Sequence, residues 1–222
     1  SITFAPIFEL KHCPLKSLKG IHVAAIIILL LILDQVLKIY IKTHYYLGEE
    51  HFVFGKWFRL AFVENEGMAW GWKFGGSFGK IALTLFRLVA VIWGTFFIGN
   101  QIHKKAYTLF IICIALIYAG AAGNLIDSIF YGLIFNESIP YQNVAHFISF
   151  GHGYAGFLHG RVVDMLNFPI IDTVLPKWVP FWGGTEFTFF DPVFNLADSY
   201  ISISFFLLII FNKKFFGEKR NV

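Results

Sequence analysis

Charge is scarce in this chain. Asp, Glu, Lys and Arg make up 14% of its 222 residues, and hydrophobic residues make up 57%. A soluble domain of this length carries far more charge. The composition therefore predicts a polytopic membrane protein in a single domain over residues 1–222. Cysteine is scarcer still. Cys13 sits in a basic leader and Cys113 in the middle of an apolar run, so no disulfide between them is expected and Cys113 reads as packing. The first long apolar run starts at Ile21 and has no small-residue cleavage site after it, so it reads as a span and not as a cleavable signal peptide. The sequence lacks a G-x-S-x-G elbow, which disfavours a serine nucleophile. It also lacks a helical two-histidine motif, so His146, His152 and His159 in their Gly-rich stretch read as loop histidines. No metal and no cofactor are expected. There is no internal repeat or low-complexity stretch.

Long apolar runs and aromatics are what the chain has in quantity. Aromatics reach 19%, with 28 Phe. Four runs of membrane length are expected over about 20–41, 79–100, 106–130 and 194–211, each near the roughly 20 residues that cross a bilayer. The fold class is thus membrane all-α, with four transmembrane helices and a small extracytoplasmic β-rich segment against the outer membrane face. Basic residues set the orientation. Lys11, Lys16 and Lys19 precede the first run, His103, Lys104 and Lys105 join the second to the third, and Lys213, Lys214, Lys219 and Arg220 follow the fourth. Those flanks are expected in the cytoplasm, with both termini inside and segments 42–78 and 133–190 outside. The net charge of +4 belongs to these flanks, which points to topology and not to nucleic acid. Residues 51–63 read as a hairpin, followed by Gly71, Gly75 and Gly76. Trp57, Trp70, Trp72, Trp178 and Trp182 fall in the outer segments and read as an interfacial belt.

Within this apolar background four acids stand out. Asp34, Asp127 and Asp198 lie inside or at the ends of the runs, and Asp164 follows two valines in the second outer segment. A carboxylate in a membrane segment is costly unless paired, wet or protonated, so its default reading is functional. Helix rise gives the depth. Asp34 is 15 residues past Lys19 and Asp198 is 15 residues before Lys213, each roughly 22 Å. Asp127 is 22 residues past Lys105, roughly 33 Å. In a hydrocarbon core of about 30 Å, all three come near the outer boundary, and Asp164 can reach the same level. Two carboxylates in one site share a proton, which supplies a base and an acid for peptide hydrolysis. The competing reading is a small proton-coupled transporter or channel. A transport path needs polar residues through the full depth, and the inner halves of the first, third and fourth runs are apolar. Asp34 and Lys38, four apart, read as a stabilising pair on one helix face. Asp198 at the head of a run also suits a helix N-cap, and Asp164 by itself reads as a loop acid.

Five blocks in order resemble lipoprotein signal peptidase, also called signal peptidase II, a bacterial membrane aspartic endopeptidase family. They are Asp34-Gln35 with Lys38, Asn65-Glu66-Gly67-Met68-Ala69-Trp70, Gly120 to Asp127 (GAAGNLID), Val162-Val163-Asp164-Met165 and Phe194-Asn195-Leu196-Ala197-Asp198. The resemblance covers almost the whole chain. It implies Asp164 and Asp198 as the catalytic pair. It implies Asp34, Lys38, Asn65, Gly67, Gly120, Asn124, Asp127 and Asn195 as substrate-binding or supporting residues. It further implies a diacylglyceryl-modified prolipoprotein substrate cut before its lipidated cysteine, membrane lipid as surroundings, no nucleic-acid partner, a monomer, and the bacterial inner membrane with the site on the outer face. The family usually carries Arg after the GNxxD aspartate. Here Ser128 stands there, so the charge partner of Asp127 is expected from elsewhere, with Arg161 the candidate. The stretches from Asp127 to Asp164 and from Asp164 to Asp198 are long for the family and read as a lid or accessory surface.

Overall fold

A computed structural model describes residues 18–55, 57–66, 76–169, 171–189 and 191–216. Lys11, Cys13, Lys16, Gly67, Met68, Ala69, Trp70, Gly71, Trp72, Gly75, Lys219 and Arg220, all named above, lie outside these residues.

Helix α1 spans Gly20–His44. Its exposed positions include Ile21, Ile28, Leu29, Ile32, Leu33 and Val36, whereas Asp34, Lys38 and Lys42 are buried. That arrangement inverts a water-soluble helix and suits lipid as solvent, since apolar side chains can face acyl chains while charges must find partners. Helix α2 spans Gly76–His103 and α3 spans Thr108–Ile126. A π-helical turn over Asp127–Tyr131 and a short α4 over Gly132–Ile134 continue α3. Three helical stretches are long and apolar enough to cross a membrane: Gly20–His44, Phe78–His103 and Thr108–Ile134. The expected fourth run is shorter. Helix α5 covers Leu196–Ile210, and α6 covers Asn212–Phe216 beyond a turn at Phe211. Phe194 was expected in that run but pairs as a strand instead.

The β-rich segment is larger than residues 51–63 alone suggest. Strands β1 (Glu50–Phe54) and β2 (Phe58–Asn65) form the expected hairpin, with Gly55 at φ +54° in its turn. Strand β3 (Val162–Asn167) adds antiparallel to β2, pairing Glu64 with Val163 and Asn65 with Val162. After β4 (Ile171–Val174) and β5 (Glu186–Phe189), which make a separate hairpin, β6 (Val193–Phe194) pairs with β3. The main sheet runs β1-β2-β3-β6.

The chain divides into two compact units. The first holds residues 1–34, 85–125 and 197–222, and the second holds 35–84 and 126–196. The first is centred on an apolar cluster of Val23, Ile98, Phe110, Ile111, Ile114 and Phe215. Polar cross-links are few and neutral: Ser204 Oγ donates to the Cys113 carbonyl at 2.7 Å and the Tyr200 hydroxyl to the Leu30 carbonyl at 3.4 Å. The second is centred on Ile41, Phe62, Tyr131, Phe135, Val163 and Met165. Burying each of its phenylalanines contributes about 1.5–3 kcal/mol.

The long stretch after Asp127 has a visible structural role. Its backbone N–H groups satisfy carbonyls at the end of the α3–α4 helix: Gly160 donates to Ser128, Ala155 to Gly132, Gly151 to Leu133 and Ile148 to Ile134. These are the acceptors that a helix end leaves open. The approach is so close that a Cβ on Gly160 would overlap the Asp127 carbonyl oxygen. The second insertion supplies the β4–β5 hairpin, which leaves Trp178, Phe181 and Trp182 exposed, as is Trp57 in the first hairpin.

Candidate active site

Asp198 is built in the first unit. It lies in the first turn of α5, inside the helix and past its cap position. The helix N-terminus favours a negative charge there. Its Oδ1 accepts from Asn124 Nδ2 at 2.8 Å. The head of α5 is itself held by Asp34, whose Oδ1 accepts the Ala197 N–H at 3.0 Å. That N–H is one of the donors a helix start leaves open. The glycines of the GAAGNLID block explain how these groups come close. A Cβ on Gly123 would stand 2.7 Å from Asp34 Oδ2, and one on Gly120 would overlap the Ala197 carbonyl oxygen. Gly120 thus supports the site by letting α3 and α5 approach. Gly123 belongs with it, and its place beside Gly120 in the block is the signal that could have added it to the supporting set.

Asp164 is built in the second unit. It is not a loop acid. It lies inside β3, where Val162, Val163, Asp164, Met165 and Asn167 are all buried. Asn65 Nδ2 donates to its Oδ2 at 3.2 Å, and Asn195 Nδ2 donates to its Oδ1 at 2.6 Å. Asn65 reaches it diagonally across the β2–β3 ladder, where Val63 is the residue opposite Asp164. Asn195 follows β6 directly, so β6–β3 pairing carries it to the carboxylate.

Asp127 is fully buried in the same unit and is not partnered by Arg161. Lys38 Nζ lies 2.7 Å from its Oδ2, and Gln35 Nε2 donates to its Oδ1 at 2.8 Å. The Tyr131 hydroxyl donates to Gln35 Oε1 at 3.1 Å and closes the network. Lys38 therefore takes the part expected of the missing arginine. It can do so because its ammonium is also desolvated, and each charge is the other's compensation.

Arg161 serves a second cluster that sequence reasoning missed. Its Nη1 donates to Glu64 Oε2 at 3.0 Å, and it reaches Glu66 at 3.5 Å and Glu137 at 3.4 Å. Buried Lys42 pairs with Glu64 Oε1 and donates to Ser138 Oγ at 3.1 Å, and Ser138 Oγ donates to Glu64 Oε1 at 2.8 Å. The rings of Phe135 and Tyr154 lie 5.3 and 5.0 Å from the Lys42 ammonium, close enough for cation–π attraction. Burial alone would raise the Glu64 carboxyl, but the Lys42 charge and the donors Lys42, Ser138 and Arg161 hold it below the ordinary range. Burial and the nearby Glu64 charge push the Tyr154 phenol up. The available signal was spacing. Asp34, Lys38 and Lys42 recur every four residues, which stacks them on one helix face.

Among the described residues, no group of three or more His, Cys, Asp or Glu side chains is placed to hold a metal ion. The chemistry available is that of buried carboxylates oriented by asparagine amides.

The signal peptidase (SPase) II family model matches residues 26–213. Proteins named lipoprotein signal peptidase are similar over most of the chain. The one from Porphyromonas gingivalis is 50% identical over 193 residues, covering 86% of this chain and 83% of its own. The one from Amoebophilus asiaticus is 35% identical over 188 residues, covering 83% and 75%. A bacterial membrane enzyme solved at 2.3 Å by the in meso method has a similar fold, with TM-score 0.57, 23% identity, and coverage of 93% of this chain and 98% of that one. A second, solved at 1.9 Å by the same method, gives TM-score 0.54 and 25% identity over 88% and 94%. Nothing in these likenesses favours a transporter. They match along the whole span of the five blocks, and the chain belongs to the signal peptidase II family, as a hydrolase of the membrane that cleaves peptide bonds.

Proposed function

We propose that the chain, acting as one integral-membrane peptidase domain over 1–222, removes the signal peptide from diacylglyceryl-modified prolipoproteins by cutting before the lipidated cysteine. In this reading Asp164 and Asp198 form the catalytic pair. The observation that carries it is their matched setting: each carboxylate is met by asparagine amides, Asn65 and Asn195 at Asp164 and Asn124 at Asp198. Neutral donors orient a carboxylate without pinning its charge against a cation, which suits a group that must gain and lose a proton. The ionised member takes a proton from water as the water oxygen bonds to the scissile carbonyl carbon. The protonated member supports the carbonyl oxygen and then delivers a proton to the leaving amine as the C–N bond breaks. Asp34, Lys38, Gly120, Asn124, Asp127, Asn65 and Asn195 support the two carboxylates, and Gly67 is carried over from the resemblance.

The same reading makes α5 a fourth span, puts both termini in the cytoplasm and puts the carboxylates at the outer face of the inner membrane, in a monomer. It draws support from the basic flanks and from the depth at which helix rise sets Asp34, Asp127 and Asp198. A diacylglyceryl group has two acyl chains, enough for stable anchoring, and holds the adjoining peptide bond at that depth. The test incubates purified enzyme with one prolipoprotein in two forms, with and without diacylglyceryl, in the same micelles. The lipidated form is expected to lose its signal peptide, and the other to be cut at least about 100-fold more slowly, since anchoring makes the encounter effectively intramolecular. Equal rates would point to a general membrane peptidase.

A further inference from the structure

The Lys42–Glu64–Arg161 cluster takes no part in the proton transfers above, yet it lies back to back with the Asp164 amides. Strand side chains alternate between faces. Asn65 therefore shares a face of β2 with Val63, the residue opposite Asp164, and Glu64 points to the other face with buried Phe62. On that far face Glu64 is gripped from two sides, by Lys42 of α1 together with Ser138, and by Arg161 just before β3. Arg161 is itself fixed at two points, because its backbone N–H donates to the Tyr154 hydroxyl at 2.6 Å.

Two features make this end of the ladder depend on such a grip. The β2–β3 register is interrupted between Leu60 and Val63, so pairing nearer the hairpin does not carry through to Asn65. The Asn65 contact with Asp164, at 3.2 Å, is the longer of the two amide contacts described there, and so the one with least geometric reserve. Apolar packing is non-directional and tolerates a slip. A slip of one residue here would send Glu64 to the other face and strand Lys42 as a buried charge.

We propose that Glu64 and Arg161 are positioning residues: with Lys42 they clamp the β2–β3 register from behind and thereby hold the Asn65 amide on the Asp164 carboxylate. The proposal rests on the reading of Asp164 as catalytic.

The test measures kcat and KM on a lipidated prolipoprotein in one micelle system for wild type, Arg161→Ala, Arg161→Lys, Asn65→Ala, Arg161→Ala/Asn65→Ala and Asp164→Asn. Arg161→Ala is expected to lower kcat by about 10- to 100-fold through misplacement, with KM within about twofold. Arg161→Lys recovers part of the loss, because it keeps the charge without the planar fork. Once Asn65 is gone the clamp has nothing to hold, so adding Arg161→Ala to Asn65→Ala costs less than about twofold more. Losses that multiply would overturn the proposal, as would a fall in unfolding temperature with unchanged kcat. If Arg161→Ala does not fold, Glu64→Gln, which keeps shape and an acceptor for Arg161, goes through the same cycle with the same two outcomes. Full activity in Asp164→Asn would sink the catalytic reading. An inactive Asp164→Asn beside multiplying losses would sink the clamp alone.

Discussion

Asp127 and Asp164 are both buried carboxylates of the same unit, and each accepts from an amide, but their settings differ. Asp127 faces the Lys38 ammonium at 2.7 Å as well as Gln35. The donors described at Asp164, Asn65 and Asn195, are neutral. A cation at contact distance in a dry site pins its carboxylate in the ionised form and makes it structural, because neutralising either member leaves the other uncompensated. Neutral amides fix orientation and still permit a change of protonation. Burial and acidity alone do not distinguish the two aspartates; the charge of the neighbour does.

The largest effect expected from this contrast is on rate. Asp164→Asn should lower kcat/KM by about 10²–10⁴-fold, the usual worth of a general acid or base, and should leave thermal unfolding in micelles nearly unmoved. Substantial residual activity would erase the distinction. Asp127→Asn should behave the other way round. It strands buried Lys38, at a cost of about 3–5 kcal/mol, and the unfolding temperature should drop by roughly 10 °C. Combining it with Lys38→Met should recover part of that drop. Should the single change prove thermally silent, the Lys38 pair would not be structural.

A smaller loss is expected from Asn195→Ala. Removing one donor to a buried carboxylate costs about 1–3 kcal/mol, which predicts a rate loss of roughly 10-fold at unchanged KM, measured by single-turnover cleavage. No change in rate would mean that Asn195 does not orient Asp164. The smallest effect concerns acid. Glu64 is held below the ordinary carboxylate range by Lys42 and its hydrogen-bond donors despite burial. A depressed folded-state pKa contributes stability that is complete above the unfolded value, about 4.3 for Glu, and is lost as pH falls through the lower folded value. Unfolding temperature should therefore fall on acidification below about pH 4, and Glu64→Gln should make that fall shallower. An unchanged slope would separate Glu64 from the cation-held class to which Asp127 belongs.

Much of the site was legible because its chemistry is written in short blocks at the ends of apolar runs. Asp34, Lys38, Asn124, Asp127 and Asn195 were named from such blocks, and the structure gives each a described partner. The strand around Asp164 was not legible. Val162–Asn167 is buried almost throughout, so it has no alternation to betray a strand, and a short apolar stretch without period reads equally as loop or helix. The partner of Asp127 was misassigned because Lys38 was matched to its nearest acid in sequence, whereas the contact with Asp127 spans most of the first half of the chain. The Lys42–Glu64–Arg161 cluster joins residues from a helix, a strand and a loop, and no local window contains it. The fourth run was read as long as the others because Phe194 and Asn195 are apolar or neutral, and sheet pairing claims them first.

The π-helical turn over Asp127–Tyr131 has a consequence of its own. Such a turn closes i→i+5 and so holds one residue more than an α-helix would use. Each residue of an α-helix advances the chain by about 100° around the axis. Deleting any one residue between Ser128 and Phe130 would restore the ordinary winding and rotate the rest of the helix by about that angle relative to Asp127. Phe135 would swing away from Tyr131 and Phe62, and the carbonyls of Gly132, Leu133 and Ile134 would no longer meet the returning loop. That loop delivers Tyr154 and Arg161. In this stretch the sequence stores information as a residue count, so a deletion that spares every named side chain is expected to be more damaging than most substitutions.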